Sequence, residues 1–162
     1  MLAGEFGQGL AMPFGILPLL ATMIGCGIWT EQLGGQQARR VPVAYLIGIF
    51  AGAVVPVIPS LLPIADIIMP VSAVVLGLLI ATAVRVPPSL AMVVVLVVGL
   101  AIGYCFLGGS VFTPLRWLGL FCGVVVAVAS GIGLSILLSI SVARILGLGV
   151  AVLGIWMLIE GM

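Results

Sequence analysis

Apolar residues follow one another along this chain in runs of about 20, the length that carries a helix across bilayer hydrocarbon. The interruptions between runs are Gly, Pro and Arg. The pattern predicts six membrane helices, at 10–29, 42–62, 64–84, 88–107, 117–139 and 145–159, with no room for a seventh. The last run is short, so it is expected to take in Ser141 to Ala143 or to sit where the bilayer is thinner. Residues 1–162 therefore read as a single integral membrane domain, an all-α polytopic transmembrane helix bundle.

Composition agrees with this. Of 162 residues, 64% are hydrophobic and 6% charged, whereas a soluble domain has about a quarter of its residues charged. Mean hydropathy is +1.54. The five basic residues are all arginines, and four of them (Arg39, Arg40, Arg85, Arg144) fall in odd-numbered loops; only Arg116 falls in an even one. The positive-inside rule puts the odd loops in the cytoplasm, with both termini, Glu5 and Glu160 outside. Met1 to Phe6 lacks the basic start of a signal peptide, so the expectation is either that the mature chain starts here or that the outward N-terminus is inserted directly. The expected location is a bacterial inner membrane, or an intracytoplasmic or thylakoid-type one.

In lipid, helices associate through close backbone approach, and small residues four apart provide it. Such pairs occur at Gly48 and Gly52, Gly99 and Gly103, Gly119 and Gly123, and through Gly131, Ser135 and Ser139. They are expected to be packing seams within one bundle. Pro13, Pro18, Pro56, Pro59 and Pro70 interrupt apolar runs and are expected to produce simple kinks. The alternative is a broken helix of the kind that lines a transport site. Pro63, Pro87 and Pro88 fall at helix starts, where a missing N–H costs nothing.

Chemistry-bearing residues are sparse. With no histidine, imidazole metal ligation, a Ser-His-Asp triad and histidine ligation of haem are excluded. With no lysine, a phosphate-loop nucleotide site is excluded, and nucleic acid has no basic patch to bind. No enzymatic activity and no cofactor are expected; the lipid bilayer and other integral membrane subunits are the expected partners, with lipid or pigment contacts compatible with the apolar faces. Asp66 follows Pro63 near the start of the third run, and is either a cation site or a first-turn carboxylate favoured by the helix dipole. Trp29, Trp117 and Trp156 are expected at the membrane interface, and Tyr104 deeper, where it needs a hydrogen-bond partner. Cys26, Cys105 and Cys122 lie within apolar runs and read as small hydrophobes without demanded bridges.

Gly27-Ile28-Trp29-Thr30-Glu31-Gln32-Leu33-Gly34-Gly35 resembles the HupE/UreJ family, membrane proteins associated with hydrogenase and urease maturation and regarded as nickel or cobalt permeases. Leu62-Pro63-Ile64-Ala65-Asp66, then Ser72 and Leu76-Gly77-Leu78-Leu79-Ile80-Ala81, is similar to that family's L-P-x-V-E…S-V-L-x-L-G-L-L-L-A stretch, with aspartate replacing glutamate. The resemblance implies a bundle of about six helices with the N-terminus outside. The family's H-P-x-x-G-x-D-H signature lines up with Met12 to Leu19, where Pro13 alone survives, and its H-G-x-A-H-G stretch with Ile102 to Leu107. Every matched histidine is replaced by an apolar residue.

An accessory or structural subunit that has lost its metal ligands is therefore the leading expectation, with no metal bound. The alternative is a small-solute or soft-metal permease for copper, nickel or cobalt. Met12, Met23, Cys26, Asp66 and Cys105 are its candidate ligands, since thioether and thiolate select a cuprous ion.

Overall fold

The computed structural model describes 2–55, 62–84, 86–107 and 113–160, with backbone only at 2–3, 37–38, 62–66, 69 and 106–107. Seven helices occupy these residues: α1 (Leu2–Gly15), α2 (Leu17–Leu33), α3 (Gln37–Val54), α4 (Leu62–Thr82), α5 (Pro88–Leu107), α6 (Pro114–Leu137) and α7 (Ile140–Glu160). No strand is present among the described residues.

The expected count of six is corrected at its first member. Instead of one kinked helix at 10–29, the chain makes two, bent by 81° at a break. The break is Ile16, whose backbone is extended (φ −121°, ψ 100°). Pro18 has no N–H to donate to the Phe14 carbonyl, and its ring would clash with that oxygen in a continuous helix. Placed instead in the first turn of α2, it leaves no bond unmade. Pro42 and Pro70, by contrast, lie inside α3 and α4 without ending them.

α3 begins five residues before the expected run, because backbone hydrogen bonding carries a helix past the hydrocarbon boundary into its polar first turn at Arg39 and Arg40. Pro56, Pro59 and the expected end of the second run lie outside the described residues, as does Arg85. α7 takes in Ser141 to Ala143. Among the described residues three helices, over Pro88–Cys105, Pro114–Leu137 and Ile140–Glu160, are long and apolar enough to cross a membrane, or four if the bent α1–α2 pair is one span.

Glycine seams hold these helices together, and their pairing gives each helix a direction. A Cβ at Gly48 or Gly52 would strike the α5 backbone at Leu96 or Leu100, and one at Gly99 or Gly103 the α3 backbone at Tyr45 or Ile49. Residue numbers rise together, so α3 and α5 run parallel. Gly119 and Gly123 meet Phe6 and Leu10 of α1 in the same parallel sense. Gly77 meets Gly147 and Ala151, while Gly154 meets Pro70 and Val74, so α4 and α7 are antiparallel. Strict up-down alternation requires these directions when the α1–α2 pair counts as one traverse.

Polar and aromatic contacts tie the seams to one another. Thr113 Oγ1 donates to Glu5 Oε2 at 2.8 Å, joining the ends of α6 and α1. The Phe50 ring of α3 lies 5.6 Å from Trp117 and 5.8 Å from Phe121 of α6. The α2–α3 turn is Gly34-Gly35, both at positive φ (67° and 59°), where glycine alone is unstrained.

Candidate functional site

α2 is the central helix, packed by α1, α3, α4, α6 and α7. From Thr22 to Thr30 only Ile24 is not buried, so polar groups in this stretch must find partners inside the protein. Thr22 and Thr30 do so locally: their hydroxyls donate to the Leu19 and Cys26 carbonyls at 2.8 and 2.7 Å.

Three other polar atoms of this region are buried without a hydrogen-bond partner: Trp29 Nε1, Gln32 Oε1 and the Tyr45 hydroxyl. Gln32 anchors its amide by donating Nε2 to the Ile80 carbonyl of α4 at 3.3 Å, which leaves its oxygen free. Tyr45, from α3, is wholly buried with its hydroxyl beside Thr22 and Cys26. Since Thr22, Cys26 and Trp29 are spaced four and three apart, they share one face of α2. The site is thus a buried stripe on α2, closed by Tyr45, offering an N–H, an amide oxygen, a hydroxyl and a thiol. In chemical terms these are hydrogen-bonding groups set among apolar side chains, where each lost water contact is costly.

Sequence reasoning reached part of this stripe. Cys26 and Met23 were candidates and lie one helical turn apart in the core; Met12, half-buried, packs against the same hydrophobic cluster. Cys105 is half-buried on α5 and engaged by another residue, outside that cluster. Asp66 belongs to α4, but its side chain lies outside the described residues. Among the described residues no three Cys, Asp or Glu side chains gather as a metal site would require. All three cysteines are unbridged.

Trp29 is a correction: instead of the membrane interface it occupies the core at 0% exposure, because α2 is surrounded by helices at that level. Trp117 is half-buried against Phe50, and Trp156 is exposed. Tyr104 is half-buried and partnered. Sequence reasoning missed Thr22, Gln32 and Tyr45. The available signal was a row of polar residues four apart, Thr22, Cys26 and Thr30, along an otherwise apolar run.

The sequence model described as HupE / UreJ protein matches residues 1–157. Protein HupE of Rhizobium leguminosarum bv. viciae is 33% identical over 87 residues, which is 54% of this chain and 46% of that protein. The match thus spans a little under half the length of that relative. No solved structure matches. With nearly its whole length matched by the family model, this integral membrane protein belongs to the HupE/UreJ family.

Proposed function

We propose that the chain is a non-catalytic accessory subunit of a larger assembly in a bacterial inner membrane, built on a permease-like bundle whose metal route is closed by apolar packing. Family members are accessory and nickel- or cobalt-transport-associated proteins rather than enzymes. One observation carries the reading. Leu19 and Ile102, at two positions where the family resemblance places histidine, are 1% and 0% exposed in one hydrophobic cluster, with Met12, at a third, packed against it. A nickel or cobalt ion shedding water needs imidazole, carboxylate or thiolate in its place, and close-packed aliphatic side chains supply none.

The test is gentle solubilisation of the native membrane, followed by native electrophoresis, mass spectrometry and metal analysis of the band holding this chain. A stoichiometric assembly with other membrane proteins and no bound metal is expected. A lone species carrying nickel, cobalt or copper would overturn the reading.

The stripe on α2 favours a second reading, a small-solute or soft-metal permease. It joins a broken helix, as transporters use at their binding sites, to unpartnered buried polar atoms beside Met23 and Cys26. Purified chain in liposomes separates the two. Flux of copper, nickel or cobalt above that of empty vesicles, lost in Cys26→Ala, would establish the permease.

A further inference from the structure

The parallel packing of α3 and α5 brings both of their N-termini to the same end of the bundle. Neither helix has an acidic residue in its first turn, so the positive ends of both dipoles stand uncompensated there. Arg39 and Arg40 occupy the first turn of α3 with both side chains exposed. No carboxylate among the described residues pairs with either, Glu31 of the neighbouring α2 included.

From these arginines an open groove of about 370 Å³ runs down between the two helices, floored by Val43 and Ile47 of α3 and Met92 and Leu96 of α5. The seven helical rises from Arg40 to Ile47 give it a length of roughly 10 Å. A second hollow of about 420 Å³, lined by Gly35, Gln36 and the same two arginines, adjoins its charged end. One end therefore wants an anion with a polar surround, and the rest wants a hydrocarbon chain. That division of charge and apolar surface matches a single class of molecule.

We infer that the α3–α5 groove is a binding site for one anionic phospholipid, its phosphate held by Arg39 and Arg40 and an acyl chain lying along Val43, Ile47, Met92 and Leu96. Arginine suits the role because its planar fork binds phosphate oxygens in pairs. A zwitterionic lipid of the same chains carries a compensating ammonium and is held less well, and free phosphate leaves the groove empty. The inference stands apart from the functional reading above, since it uses none of the α2 stripe.

The test uses the full chain in neutral detergent, with native mass spectrometry reading bound lipid as dioleoyl phosphatidylglycerol or dioleoyl phosphatidylcholine is added. Wild type is expected to retain one phosphatidylglycerol at concentrations at least tenfold below those needed for phosphatidylcholine. Arg39→Gln with Arg40→Gln should abolish that preference. Ile47→Trp, which fills the groove at an exposed position and leaves both arginines, should weaken phosphatidylglycerol about tenfold. Equal retention of the two lipids by wild type would overturn the site without reference to any variant. Undiminished binding by Ile47→Trp, or competition by millimolar glycerol phosphate as strong as by the lipid, would reduce it to charge attraction at the surface and overturn it equally.

Discussion

Single atoms decide the character of the α2 stripe. A buried hydroxyl without a partner forfeits its hydrogen bonds to water and gains nothing in return. Tyr45 holds such a hydroxyl beside Thr22 and Cys26. Tyr45→Phe is therefore expected to raise stability in detergent by about 1 kcal/mol, the usual scale for an unsatisfied polar group. Thermal unfolding monitored by circular dichroism reads it, and a drop would mean that the hydroxyl is held by a partner, the neighbouring Thr22 hydroxyl first of all. Residue identity alone could not have located this atom. Tyr45 and Cys26 are far apart in sequence, and only the packing of α3 on α2 makes them neighbours.

Helices are held here by how closely their backbones approach and by where they break. Gly103 places its α-carbon so near the Ile49 carbonyl that a Cβ has nowhere to go, whereas Gly149 of α7 has open space around it. Gly103→Ala should cost about 1–3 kcal/mol through overpacking. Gly149→Ala should be neutral or slightly stabilising, because alanine is the better helix former. Denaturation of both variants in mixed micelles provides the comparison, and equal behaviour would contradict the seam. At the break, Pro18→Leu restores a donor for the Phe14 carbonyl and removes the ring clash. The 81° bend should open. Spin labels at Gln8 and Gln36 in a cysteine-free background would then move apart, with α1 pulled from Gly119 and Gly123; an unchanged distance would place the cause of the bend in tertiary packing instead. Gly pairs and apolar run lengths made α5, α6 and α7 readable in advance. The first helix was misread because a proline signals a kink and a break alike, and which occurs depends on what the displaced segment packs against. Here that is α6.

For the molecule as a whole, what faces outward matters as much as what is buried. α7 presents Ile145, Leu148, Val152, Ile155 and Ile159 away from the bundle, all exposed. Lipid can cover such a surface, and so can a neighbouring subunit, since small-residue and apolar faces pack laterally in the bilayer. If the chain is an accessory subunit, fluorophores at Leu148 and Val152 should be shielded from a lipid-borne quencher in the native assembly and accessible in the purified chain. Equal quenching in both would leave α7 facing lipid and remove it as an assembly surface.

The sequence by itself determined the class. Uninterrupted apolar runs and a nearly charge-free composition leave an integral membrane helix bundle as the structure that satisfies the backbone in lipid. It also marked the Gly48–Gly52 and Gly99–Gly103 surfaces, because small residues four apart lie on one helix face whatever surrounds them. Tertiary structure alone decided that α1 and α2 are separate, that Trp29 is core rather than interface, that Tyr45 closes a polar stripe on α2, and that two helix N-termini meet beside Arg39 and Arg40. Each depends on which helix lies against which. A chain apolar on nearly every face carries little periodic signal to specify those neighbours, so they are settled by backbone fit at the glycine seams.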